Sequence, residues 1–181
     1  MLDDKRLIWR LRRADVDALR RLYDKYKGDL LKLAVILTGD LSPAEDVVQD
    51  VFLKLARSYD RISIHGNLRN YLITCVVNQT RSLRRDVARR QQTSLDPHVV
   101  SPCPAPRPEQ WAVLNEQTRQ LADAMRQLPA EQREVVILRF QAGLGFRQIA
   151  RIQNAPINTV QGRYRYGIEK LRSLLNGELR E

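Results

Sequence analysis

The chain has 181 residues, 43% of them hydrophobic and 29% charged, which is enough for one domain or two small ones and ordinary for a soluble globular protein. A formal net charge of +10 is not ordinary at this size, and it favours a polyanionic partner, nucleic acid before membrane. No apolar run approaches the roughly 18–20 residues of a membrane span, and the N-terminus, MLDDKRLIWRLRRAD, lacks the apolar core of a signal peptide. The two cysteines, Cys75 and Cys103, form no CxxC pair and have no set of histidines nearby, so no metal, cofactor or disulfide framework is expected. Cys75 lies in an apolar run and reads as a small buried hydrophobe. Glycine is scarce and strand-like alternation is absent, so an all-α, cytoplasmic protein is expected.

Residues 1–37 read as one or two helices. Their apolar stripe starts at Leu7, Ile8 and Leu11 and continues through Ala18, Leu19, Leu22, Tyr23 and Tyr26 to Leu30, Leu31, Leu33, Ala34 and Leu37. Thr38-Gly39-Asp40 is a stop signal. Ser42-Pro43-Ala44-Glu45 then predicts a helix start, with Ser42 as the cap and Glu45 closing a capping box. The following turns place Val47, Val48, Val51, Phe52 and Leu55 inward, leaving Glu45, Asp46, Gln49, Asp50 and Leu53 on an adjoining acidic face. Residues 59–67 form a polar loop. The next helix packs through Leu68, Tyr71, Leu72, Cys75, Val76 and Leu83, and Arg81, Arg84, Arg85, Arg89 and Arg90 make its second half basic. Asn78 stands alone on a mostly apolar stretch, where an amide is often a satisfied core group.

Residues 92–110 hold five of the eight prolines and predict an extended linker. Some 18 such residues at about 3.1 Å each span on the order of 55 Å. Beyond it, Trp111, Leu114, Leu121, Met125 and Leu128 define one helix. Pro129 opens another, with Val135, Val136, Leu138 and Phe140 apolar and Gly143 ending it. Phe146, Ile149, Ala150 and Ile152 fall on one face of a short helix that Asn154-Ala155-Pro156 breaks. A second helix restarts near Pro156, burying Val160, Tyr164, Ile168, Leu171 and Leu175. Two helices joined by so short a turn match a helix-turn-helix, whose second helix presents its N-terminal residues to the major groove. Between Leu144 and Ser173 six Lys/Arg face one Glu, a net +5. The expected architecture is all-α: two small helical domains, 1–91 and 111–181, joined by a Pro-rich linker over 92–110, the second containing the helix-turn-helix.

The runs SPAEDVVQDVFLKL, YLITCVVNQTRSLRR, LPAEQREVVILRF and FRQIARIQNAPINTVQGRYRYGIEKLRSLL, in that order, resemble a bacterial sigma factor of the small two-domain, extracytoplasmic-function (ECF) group. The resemblance covers roughly residues 14–90 and 112–176. It implies a non-enzymatic subunit that binds core RNA polymerase, through the β′ clamp helices and the β subunit, reads promoter DNA and assists its opening. An anti-sigma partner is allowed by the resemblance, and neither membrane insertion nor an added C-terminal regulatory domain is expected. Asp46, Gln49, Asp50 and Leu53 match the family's polymerase-binding surface. Ser58, Ile62, Cys75 and Asn78 match a pocket for a flipped base of the −10 element. Tyr71 stands at its edge, and Arg81, Arg84 and Arg85 hold phosphates. On the recognition helix Gln161 and Arg165 match readers of −35 base edges, Thr159 and Arg163 lie nearer phosphates, and Arg147, Asn158 and Tyr166 complete the set. The family usually has Trp where Tyr71 stands, an aromatic at Ile62, a small hydroxyl residue at Gly162 and a basic one at Tyr166. It also has an acidic-Gly pattern where this chain has Ile64-His65-Gly66-Asn67.

Two other classes are weighed against this. A plain DNA-binding regulator has no use for the acidic face. An enzyme would have to gather Glu45, Asp46 and Asp50 around Mg²⁺, yet residues 45 and 46 project about 100° apart on a helix and no His or Lys base accompanies them.

Overall fold

The structure is a computed structural model that describes residues 2–13, 15–58, 67–93 and 116–177. The described residues form eight helices and no strand: α1 (Leu2–Leu11), α2 (Val16–Thr38), α3 (Leu41–Arg57), α4 (Leu68–Thr93), α5 (Glu116–Arg126), α6 (Ala130–Phe140), α7 (Phe146–Gln153) and α8 (Ile157–Asn176). The chain divides into two compact units, Met1–Pro102 and Cys103–Glu181, so the cut falls inside the proline-rich stretch. Residues 94–110, the loop 59–66 with Ile62, and Trp111 and Leu114 lie outside the described residues.

In the first unit α2 packs against α1, α3 and α4, and α3 packs against α4. Residues 1–37 thus form two helices, not one. The break is made by Asp15, whose carboxylate accepts the Ala18 N–H at 3.1 Å and Arg10 Nε at 2.7 Å. Such a cap satisfies an N–H that helix geometry leaves unpaired. Ala18, Leu22, Tyr26, Leu30, Leu33, Ala34 and Leu37 are the buried stripe of α2. Gly39 ends the helix at φ 86°, a left-handed conformation that glycine adopts without a Cβ clash. The start of α3 differs from the sequence expectation. Asp40, not Ser42, is the cap, and its side chain accepts the Ser42 N–H at 3.2 Å. Pro43 therefore sits within the first turn, where its missing N–H has no intrahelical partner to lose, and Glu45 is an exposed residue, not part of a box.

In the second unit α8 packs against α5, α6 and α7. Ala124, Leu128, Val136 and Leu171 form a core joined by Met125, Tyr164, Ile168 and Leu174. Leu175, expected inside, is 45% exposed and Leu174 packs on the core instead, because counted from the buried Val160 at about 100° per residue Leu175 has drifted about 60° off the buried line and Leu174 only about 40°. Leu121 also points outward, with Ala124 facing in instead. Gly167 is buried where α8 crosses α6. A Cβ there would meet Val136 Cγ2 at 3.2 Å and Gln132 Cβ at 3.5 Å, so the missing side chain lets the two helices approach closely.

α1 is fastened to α2 by Leu7 and Leu11 and by Asp4, which is buried with its Oδ1 2.5 Å from Lys25 Nζ. Burial works to raise the Asp4 pKa, but hydrogen bonds from Lys25 and Tyr26 and the lysine's charge outweigh it and leave the carboxyl below its ordinary value. Tyr26 is pushed up to about 12, by burial first and then by Asp4. A depressed carboxyl stabilises the fold above its unfolded pKa and loses that contribution as pH falls through the folded value. Asp4→Asn is expected to lower the stability of the first unit by about 1–3 kcal/mol at neutral pH. Chemical denaturation followed by α-helical circular dichroism should show the gap to the parent closing below pH 3.8, the carboxyl's ordinary value. A gap that persists in acid would show that Asp4 acts through shape and not charge.

Candidate functional site

Burial of Val47, Val48, Val51, Phe52 and Leu55 orients α3 and leaves Asp46, Gln49, Asp50 and Leu53 exposed along its opposite flank, Leu53 at 51%. Asp50 is held from α4: Gln79 Nε2 donates to its Oδ2 at 2.7 Å, while Gln79 Oε1 accepts from Lys54 Nζ. This three-residue bridge joins the acidic face to the helix beside it. Sequence reasoning passed over Gln79 and Lys54, since only packing brings residues 25 and 29 positions apart together.

On α4, Leu68, Leu72, Ile73, Val76 and Val77 are buried. Asn78 is exposed, so it is not a satisfied core amide. Cys75 is half-buried instead of fully enclosed, and Tyr71, at 37% exposed, lies against it. Burial pushes the Cys75 thiol above its ordinary value, against the opposing pull of Tyr71 and of the Lys54 charge. Tyr71 is itself pushed up to about 12 by burial and by Cys75. Ser58, half-buried at the end of α3, donates from Oγ to the Lys54 carbonyl. Ser58, Tyr71, Cys75 and Lys54 thus lie along one border between α3 and α4, and Ile62 falls outside the described residues. Arg81 is half-buried and Arg85 exposed, its Nη2 donating to Ser82 Oγ at 3.1 Å. Arg84 donates to the Leu37 carbonyl at the end of α2, so its guanidinium also closes a helix terminus.

In the second unit α7 and α8 are joined by Asn154-Ala155-Pro156. Asn154 is left-handed at φ 48°, the one described non-glycine residue with positive φ. Its N–H reaches the Arg151 carbonyl at 3.3 Å and the Ala155 N–H reaches the Ala150 carbonyl at 3.0 Å, a Schellman termination. Pro156 then caps α8 with extended backbone. Asn158, Thr159, Gln161, Arg165 and Tyr166 are exposed on α8, as is Arg147 on α7, while Arg163 is half-buried. Arg165 lies over the Tyr166 ring at 4.9 Å, donates to its hydroxyl at 3.2 Å and stands 4.0 Å from Glu169. Phe140, expected among the apolar residues of α6, is 68% exposed with its ring 6.1 Å from Tyr164. Among the described residues no three His, Cys, Asp or Glu side chains gather where a metal ion could be held, and no helix is long and apolar enough to cross a membrane.

A chain whose described residues form helices and no strand, with a basic helix-turn-helix in one unit and an acidic helix face beside a basic helix in the other, is built to meet both DNA and a protein. Residues 22–90 match the family model for sigma-70 region 2, and residues 118–171 match that for sigma-70 region 4. The chain is 31% identical over 166 residues to the ECF RNA polymerase sigma factor SigL of Mycobacterium tuberculosis, covering 90% of this chain and 91% of that protein. It is 25% identical over 181 residues to the ECF RNA polymerase sigma factor SigW of Bacillus subtilis strain 168, covering 94% and 96% respectively. Among solved structures it resembles the sigma factor RpoE in complex with the anti-sigma factor NepR from Bartonella quintana, at 27% identity and a TM-score of 0.68 over 90% of this chain and 98% of that one. It also shares the fold of CnrH, at a TM-score of 0.70 over 97% of this chain and 98% of that one. The chain belongs to the ECF RNA polymerase sigma factors. Its function is to bind core RNA polymerase and direct it to promoters at transcription initiation.

The state of Cys75 gives a test of the α3–α4 border. In a Cys103→Ser variant, Cys75 is the only thiol of the original two. Because the thiolate is the reactive form, a raised pKa is expected to make alkylation by iodoacetamide at about pH 8 slower in the folded than in the denatured protein. The folded rate should still be climbing above pH 9.0, the thiol's ordinary value. A folded rate that levels off below that pH would mean the thiol is not buried as described.

Proposed function

We propose that the two units divide the work of promoter recognition. The first domain, residues 1–91, presents Asp46, Gln49, Asp50 and Leu53 to the β′ clamp helices of core polymerase. It reads the −10 element with Ser58, Ile62, Tyr71, Cys75 and Asn78 around a flipped base, and Arg81, Arg84 and Arg85 serve as phosphate contacts. Capturing that base offsets a few kcal/mol of unstacking, which is how a protein without covalent chemistry assists strand opening. Residues 92–110 link it to the second domain, 111–181, which reads the −35 element as duplex. Gln161 and Arg165 meet base edges there, with Arg147, Asn158, Thr159 and Tyr166 around them. The observation that carries the reading is the clean separation on α8. Its buried line, Val160, Gly167 and Leu171, leaves Asn158, Gln161 and Arg165 together on the outer face. The protein acts in the cytoplasm, and an anti-sigma partner that covers these faces when the factor is idle accords with the RpoE–NepR pairing.

The test is co-purification with core RNA polymerase followed by run-off transcription from a fragmented genomic library. Binding to core and initiation at sites that share two spaced elements are expected. Binding to DNA with indifference to core enzyme would make this a regulator on a sigma scaffold. Asp50→Arg should abolish co-purification while circular dichroism stays unchanged, since Asp50 is exposed. Gln161→Ala and Arg165→Ala should each weaken discrimination at one −35 base pair by about 1–3 kcal/mol and leave core binding intact. Equal loss on every DNA sequence would show that neither side chain reads a base.

A further inference from the structure

Arg163 is set apart from the other polar residues of the recognition helix. On an α-helix residues four apart share a face, whereas residues two apart project roughly 200° from each other. If Gln161 and Arg165 face the groove together, Arg163 between them faces back toward the protein. The structure agrees: Arg163 is half-buried, on the flank that also carries the buried Val160 and Gly167.

Its Nη1 donates to Gln153 Oε1 at 2.8 Å. The other end of that amide, Nε2, donates at 3.1 Å to the carboxylate of Glu134 and at 3.1 Å to the carbonyl of Glu131. Glu134 is 8% exposed. Gln153 therefore sits between a cation on α8 and a buried carboxylate on α6. A carboxamide is suited to this place because one end only accepts and the other only donates. Its three bonds tie together the end of α7, the first turns of α6 and the middle of α8.

We infer that Arg163 is a positioning residue and not a phosphate ligand, and that the Glu134–Gln153–Arg163 relay fixes the angle at which α8 presents Gln161 and Arg165. Turning Arg163 out to a phosphate would break its bond to Gln153 and remove the cation that faces a buried carboxylate through one amide. The relay instead resists rotation of α8 about its own axis. A rotation of that kind would move the base readers and leave the hydrophobic core largely in place. The inference rests on the reading of α8 as the −35 helix.

The experiment compares full-length parent, Arg163→Ala, Gln153→Leu and the double variant, each as holoenzyme with core polymerase. Binding is measured on a promoter recovered by the run-off screen, with its −35 element intact or scrambled, across a range of salt concentrations. Each single variant is expected to lower the intact-to-scrambled affinity ratio several-fold. The double variant should do no worse than either, as members of one relay are non-additive. The slope of log affinity against log salt should stay at the parent value. Losing a phosphate contact instead removes about 0.9 from that slope and weakens both promoters alike, and this result for Arg163→Ala overturns the inference. So does a lowered melting temperature with the affinity ratio unchanged, which would make the relay merely structural. A parent holoenzyme that does not itself distinguish intact from scrambled DNA overturns the −35 assignment of α8, and the relay's role falls with it. Discrimination present in the parent and kept in both variants overturns the relay alone.

Discussion

Val47, Val48, Val51, Phe52 and Leu55 occupy one flank of α3, and Phe52 meets Tyr23 of α2 edge-on with ring centroids 4.9 Å apart. Burying such side chains is worth about 1.5–3 kcal/mol each, so the rotation of α3 about its axis is fixed by its core side. Everything else on the helix follows from that. Asp46, Gln49, Asp50 and Leu53 have no choice but to face out, and together they give a basic protein a patch of opposite sign. Burying one stripe of α3 leaves the rest of its circumference available to a partner, and the proposed polymerase contact falls there.

The second unit applies the same constraint at closer range. Gly167 brings α8 against Gln132 and Val136 of α6, and Asn154 closes the turn before it in a left-handed conformation. A glycine inside a helix costs about 1 kcal/mol in propensity relative to Ala. Here it lets α8 approach α6 closely at Gln132 and Val136. The outer face of α8 is made of exposed residues outside the core, so those side chains can vary without disturbing the fold.

Much of this was legible from the residues. The stripes of α2 and α3, the Asn-Ala-Pro turn and the order of motifs all follow from local chemistry, and the family follows from that order. Helix ends were less legible. Ser42-Pro43 is a good start signal, but Asp40 competes for the same role two residues earlier, and the chain takes the first cap available. Period arithmetic placed Leu175 inside because each step of three or four residues rounds 3.6, and the error accumulates over four turns until Leu174 faces the core. The bridges Asp50–Gln79–Lys54 and Glu134–Gln153–Arg163 were not legible at all. Their members are 10 to 29 positions apart, polar, and unremarkable alone, so only the packing of the helices pairs them.

Those bridges also bear on how a surface waits for its partner. Arg165 does not stand free in water: it lies over Tyr166, bonds its hydroxyl and approaches Glu169. Tyr166, at a position where the family often has a basic residue, holds the neighbouring cation on the exposed face of α8. Such exposed pairings contribute about 0–1 kcal/mol, because water and counterions compete for both partners. In the proposed −35 role, a bidentate contact from Arg165 to a base edge would be worth about 1–3 kcal/mol in discrimination. Exchange of one for the other is therefore favourable on the right sequence and close to neutral on a wrong one. Arg163 differs because it donates to Gln153, whose other end donates to the buried Glu134 carboxylate, so it is tied through one amide to the helix behind it. Two arginines two residues apart on one helix are thus separated by what lies behind them: Arg165 is held only by exposed neighbours, and Arg163 is tied to the helices beneath, which is what the proposed roles of reader and positioner require.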